Sequence, residues 1–239
     1  MLKQSKIVIY ALLALLLVGV FYSLKVGIAD IYAHQADRLE RRWIKHGEVK
    51  SFKDWQQANS WVDKALWLDG DHPDYLLTKG RLATWRFFVT KDGTGIEQLK
   101  QQAMPGLGFI ESSIAVRPGW PYAWSTLVRL KAQLGELDER FYFAFEQAKV
   151  LGTWEPDVQM TLFDVGLGAW ASLPWSERFY ILELFNTLLE RAKWASKGNK
   201  VFEIAKAHQM VPAMCLSLDI TEHAKWVQKR CRSEMATSE

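Results

Sequence analysis

Residues 7–24, IVIYALLALLLVGVFYSL, carry no charge and are bracketed by Lys3 and Lys6 before them and Lys25 after them. At a rise of about 1.5 Å per residue, a helix of this length comes close to the roughly 30 Å hydrocarbon core of a bilayer. A cleaved signal peptide has a shorter apolar region, about 7–15 residues, ending at a small-residue site. Here Lys25 interrupts before Gly27-Ile28-Ala29, the best cleavage candidate. The run therefore reads as a retained anchor. No Gly or Pro occurs between Ala29 and His46, so the same helix can continue as a stalk.

Charge bears on orientation and on partners. Lys3 and Lys6 lie before the run, while Lys25, Arg38, Arg41 and Arg42 lie after it, so a plain count does not favour an N-terminus inside. A long domain behind a terminal hydrophobic segment is nevertheless translocated largely regardless of its charge. The expectation is a single pass through an inner (plasma) membrane, with a cytoplasmic N-terminus and the main domain periplasmic or otherwise extracytoplasmic. The formal net charge is +3, and Lys3, Lys6 and Lys25 account for it. The remainder is neutral and well mixed, which gives no reason to expect nucleic acid as a partner. The basic stretch Arg38 to Lys45 reads as a solvated stalk face or a contact with lipid headgroups.

The rest of the chain predicts an all-α fold. Pro and Gly are sparse and fall at segment ends, long apolar-periodic stretches lie between them, and no alternating strand pattern stands out. Three times a segment runs through an alanine and a short corner into a proline: Ala65 to Pro73, Ala115 to Pro121, and Ala148 to Pro156. Proline suits the first turn of a helix, so each corner ends one helix and opens the next. The last two corner prolines are 35 residues apart (156 minus 121), close to the 34-residue tetratricopeptide period. Ala123, Leu127, Leu130 and Leu134 form one apolar stripe, Gly135 stops the helix, Asp138 caps the next, and Phe141, Phe145 and Ala148 resume the stripe. This hairpin resembles a tetratricopeptide repeat in placing Trp124, Leu127, Phe145 and Ala148 near that family's packing positions, and departs from it at Val128. Ser51 to Asp54 has the form of a capping box, followed by Trp55, Ala58, Val62 and Ala65 on one face.

The expected layout is a tail and transmembrane anchor over residues 1–25, a helical stalk over 26–50, a tetratricopeptide-like α-solenoid of hairpins over 51–172, and a C-terminal helical segment over 173–239. One helix is expected from Pro174 to Ser196, with short helices around Pro212 to Arg232. Cys215 and Cys231 either form one disulfide between two short antiparallel helices, which an oxidising compartment favours, or pack as free thiols.

The segments Ile114-Ala-Val-Arg-Pro-Gly-Trp-Pro-Tyr-Ala-Trp-Ser-Thr-Leu-Val-Arg-Leu-Lys-Ala-Gln-Leu-Gly-Glu-Leu-Asp138 and Leu151-Gly-Thr-Trp-Glu-Pro-Asp-Val-Gln159 resemble VpsP-type proteins of bacterial exopolysaccharide gene clusters. The resemblance extends over the post-anchor chain. It implies a membrane-anchored accessory factor for polysaccharide synthesis or export, and it brings no catalytic residues to transfer.

Catalytic and cofactor signatures are lacking. No GxxxxGK[ST] loop, HExxH pair or GxSxG elbow occurs, and the GxG pieces at Gly93, Gly106 and Gly166 lack a third glycine and a preceding strand. They read as turns or helix contacts. The expectation is a chain that is not an enzyme and carries no cofactor and no metal. Glu111-Ser112 resembles the dipeptide at the acid of lytic transglycosylases, but the segment around it reads as a repeat core stripe.

The residues singled out for contact are Trp120, Tyr122, Trp124 and Trp154, at or near the repeat corners, with Arg117 and Arg129 as hydrogen-bond donors. Their rings either fill gaps between hairpins or grip a partner peptide or sugar. Three functions suit such a chain: a scaffold for envelope polysaccharide-assembly proteins, a periplasmic chaperone-like or quality-control protein, and a glycan-binding or glycan-active protein.

Overall fold

The computed structural model describes residues 2–89, 93–192, 195–218 and 224–236. Lys91-Asp-Gly-Thr-Gly95 reads from its composition as a loop, and its residues 91 and 92 lie outside the described residues. Among the described residues the chain is all-α, apart from a single bridge pairing Val49 with Val89. It opens with α1 (Leu2–His46), one uninterrupted helix of 45 residues, about 67 Å long. Among the described residues nothing packs on its apolar part: Leu12, Leu15, Leu16, Phe21 and Leu24 are all exposed. A helix apolar on every side buries itself in lipid, and α1 is long and apolar enough to cross a membrane.

The chain divides into two compact units, residues 1–118 and 119–239, a boundary that falls inside the expected hairpin segment 51–172. The first holds α1, α2 (Phe52–Leu68), α3 (Pro73–Trp85), a 3-10 turn (Arg86–Phe88), α4 (Ile96–Ala103) and α5 (Gly106–Val116). Ser51 caps α2 as expected, its hydroxyl accepting the Lys53 N–H at 3.1 Å, and Pro73 stands in the first turn of α3.

The stretch anticipated as a stalk is core. Ala36, Leu39 and Trp43 are buried with Val49, Ala58, Val62 and Leu82, and Ala29 is buried with Ala65 and Tyr75. Ala29, Ala36 and Trp43 recur every seven residues, so one face of α1 is turned onto α2 and α3. Polar ties fix that docking: Glu40 receives Arg81 through two hydrogen bonds of 2.9 and 3.1 Å, and the Tyr75 hydroxyl donates to Asp30. On the other side of α3, a Cβ on Gly80 would stand 2.2 Å from Ile110 Cγ1, so glycine is what lets α5 approach.

The second unit holds α6 (Pro121–Leu134), α7 (Glu139–Leu151), α8 (Pro156–Gly168), a 3-10 turn (Trp170–Ser172), α9 (Trp175–Arg191), α10 (Ala195–Ala207), α11 (Val211–Leu216) and α12 (Lys225–Ala236). Gly135 ends α6 in the left-handed conformation (φ 82°) and the Asp138 carboxylate accepts the Phe141 N–H at 2.9 Å, as the sequence predicts. Lys131 reaches back over this turn to Glu136 and Asp138, at 2.8 and 2.9 Å. The stripe Ala123, Leu127, Leu130, Leu134, Phe141, Phe145, Ala148 is wholly buried, and α6 packs on both α7 and α8. A file of aromatics, Phe163, Phe185, Phe202 and Trp226, continues the core at centroid spacings of 5.7, 5.7 and 6.3 Å. The helix expected over Pro174 to Ser196 ends earlier, at Arg191, and α10 begins at Ala195. Nothing in the local sequence accounts for that break. Cys215 and Cys231 are joined, their Cα atoms 5.6 Å apart, tying α11 to α12.

Candidate partner-binding corner

In the second unit the turn between α7 and α8 carries Trp154 outward, with 80% of its surface exposed. The turn itself is pinned from beneath. Gln159, almost fully buried, donates its side-chain amide to the Thr153 carbonyl at 2.7 Å. Arg191, at the end of α9, donates to the same carbonyl at 3.2 Å and to Gln159 Oε1 at 2.9 Å. The Arg191 guanidinium also lies 5.0 Å from the centre of the Trp154 ring. Gly152 makes the tight exit from α7 possible, since a Cβ there would stand 2.4 Å from Val158 Cγ1 and 2.6 Å from the Ala148 carbonyl.

Tyr122 joins this corner from the start of α6. Its hydroxyl donates to Glu155 Oε2 at 2.6 Å, which sets the first turns of α6 and α8 side by side. That bond to the carboxylate, then burial and the nearby negative charges, push the Tyr122 hydroxyl up to about 12, so it stays a donor at every physiological pH. Trp120 lies 6.2 Å from the Tyr122 ring and is half-buried. Three of the six residues singled out from sequence thus share one end of the second unit: Trp120, Tyr122 and Trp154.

The other three do different work. Trp124 is only 5% exposed, edge-on to Phe143 at 5.6 Å with Arg140 over its ring, and serves the core rather than a partner. Arg129 spans from α6 to α8, donating to Thr161 at 3.2 Å and facing Asp164 at 3.7 Å. Burial lowers its pKa and Asp164 offsets part of that; it remains charged, and Asp164 also meets His208 Nε2 at 2.9 Å. Arg117 belongs to the first unit, where it pairs with Asp74 at 3.5 Å.

The remaining sequence candidates resolve plainly. Gly166 is a helix contact, since a Cβ on it would stand 2.3 Å from Ile181 Cδ1, and Gly93 is a turn with positive φ. Glu111 is half-buried on α5, while the hydroxyl of Ser112 is turned onto its own helix at Gly108. In the first unit Arg38, Arg41 and Arg42 stand on the solvent side of α1. Arg38 is 13 residues, or about 20 Å of helix, past Lys25. The headgroup layer adds only some 5–8 Å to each side of the hydrocarbon.

Sequence reasoning missed Arg191, whose role depends on α9 returning to a corner 38 residues earlier, and Gln159, which looks like any polar helical residue. Neither carries a local signal. Comparison with family models and with curated proteins found no match.

Proposed function

We propose that this chain is a single-pass, membrane-anchored helical-repeat scaffold that assists bacterial exopolysaccharide biosynthesis or export by holding other envelope proteins, without chemistry of its own. The observation that carries the reading is the Trp154–Arg191 corner. Trp and Arg are among the residue types most enriched where binding energy concentrates at protein interfaces, and on a turn held this firmly the ordering cost is met before the partner arrives. The packing of α6 on α7 and of both on α8 supports the tetratricopeptide-like reading, in which each hairpin stacks on the next. The resemblance to VpsP-type proteins supplies the link to polysaccharide.

The buried Cys215–Cys231 bond supports an extracytoplasmic placement, because disulfides persist in oxidising compartments and are rare in the cytosol. The test is a photo-crosslinking residue placed at position 154 of the full-length chain in native membranes, followed by mass spectrometry of the captured proteins. Polymerase, export or glycosyltransferase subunits are the expected catch. Recovery of folding factors instead would favour the quality-control function, and an alkaline phosphatase fused to the C-terminus that stays inactive would overturn the topology.

A further inference from the structure

The outer flank of α2 forms a groove of about 600 Å³ with one residue of α3 at its edge. Trp55 and Trp67 mark its two ends, twelve residues or about 18 Å apart along the helix. Between them lie Gln56, Asn59, Ser60, Asp63 and Lys64, with Lys79 reaching in from α3. We propose that this groove binds an oligosaccharide, a neutral or mildly acidic stretch of polymer lying along α2 with a pyranose face on Trp67.

Four features point to that class of ligand. Trp67 is 84% exposed, so the fold gains almost nothing from burying an indole there, and a flat apolar ring presented to water suits the C–H face of a sugar. Between the two indoles the lining carries amides, a hydroxyl, a carboxylate and ammonium groups set among a larger share of apolar surface, a mixture that suits the apolar ring faces and hydroxyl edges of a sugar. Asp63 is paired with Lys79, so Lys64 is the excess charge of this lining, enough for an occasional uronic acid and too little for a polyphosphate or nucleic acid. The groove is also held in shape before any ligand binds. The Trp55 indole N–H donates to the Leu82 carbonyl at 2.7 Å, Asn59 Nδ2 donates to the Trp55 carbonyl at 3.0 Å, and Lys79 holds Asp63 at 2.6 Å.

The groove belongs to the first unit and the Trp154 corner to the second, so either can fail without the other. Full-length protein in lipid nanodiscs is applied to an array of oligosaccharides covering neutral, amino and uronic acid sugars, with immobilised polyphosphate alongside. The expected result is binding to a subset of the glycans, about tenfold weaker in Trp67→Ala and largely restored in Trp67→Tyr, in keeping with the loss and return of one stacking face. Trp175→Ala, which removes another exposed indole, binds as the wild type does. Because Trp67 is exposed, its variants melt at the wild-type temperature, which separates lost contact from lost fold. No glycan bound, equal binding by Trp67→Ala, or binding to polyphosphate alone would overturn the proposal.

Discussion

Glu40 and Arg81 meet across 41 residues of chain in a paired, two-bond contact, and the Trp85 indole N–H adds a third bond to the same carboxylate at 3.1 Å. Glu40 is 3% exposed, on a helix whose earlier part is long and apolar enough to cross a membrane. Burial lowers the pKa of Arg81, but the Glu40 carboxylate raises it by more, so the guanidinium is charged at any working pH.

Glu40→Ala leaves the Arg81 charge half-buried beside an unfilled space. Removing one partner of a buried ion pair costs about 3–5 kcal/mol, and the partial exposure of Arg81 puts this case near 3. Thermal unfolding of the detergent-solubilised protein checks it, and a melting temperature unchanged from wild type would show that α1 docks through its apolar face alone.

The Cys215–Cys231 link closes a loop with a sequence separation of 16, for which the chain-entropy estimate is about 3 kcal/mol. Denatured, unreduced protein should give no free thiol with a thiol reagent, and Cys215→Ala/Cys231→Ala should unfold at lower denaturant. Two titratable thiols in protein taken directly from the envelope would contradict the pairing.

Asp138 both caps α7 and meets Lys131. Burial raises its pKa, but the bonds from Lys131 and from the Phe141 N–H outweigh that, and the net shift is downward. A carboxyl with a depressed folded pKa contributes stability that is fully present above its unfolded value, about 3.9, and is lost as pH falls through the folded value. Asp138→Ala should cost about 1 kcal/mol at neutral pH, as for the loss of an N-cap, and the gap between variant and wild type should narrow below about pH 4. Parallel melts at pH 7 and pH 3 read both quantities.

Gly80→Ala forces a methyl into Ile110 and should destabilise the first unit by about 1–3 kcal/mol. Combined with Ile110→Ala, the cost should be less than the sum of the two single changes, because the second change vacates the space the first invades. Strict additivity in a double-mutant cycle would refute the close approach of α5.

Much of this was legible because its causes are local. Pro73, Pro121 and Pro156 open helices, Ser51 and Asp138 cap them, and the apolar run needs only its own composition. Trp124 was partly legible too: Leu127 and Val128, three and four residues on, share its buried face, which marks it as core before any neighbour is known. What escaped depends on the far side of a contact. Glu40 sits in the charged string Asp37-Arg-Leu-Glu-Arg-Arg42, where one carboxylate looks like the rest until Arg81 arrives from α3. Trp154 and Trp67 could as readily have been packed; their exposure is set by what the neighbouring helices leave uncovered.

Because α1 runs without a break from a stretch apolar enough to cross a membrane into the core of the first unit, an anchor built this way would behave as a drive shaft rather than a tether. A swivelling linker would let the domain face any direction; here every degree of rotation of the buried span is delivered to Trp43 and its neighbours. Adding one residue at the membrane exit would lift the first unit by about 1.5 Å and swing it by about 100° about the helix axis. With the span held in a bilayer, the bearing of the first unit would be written in the number of residues between Lys25 and Ala29.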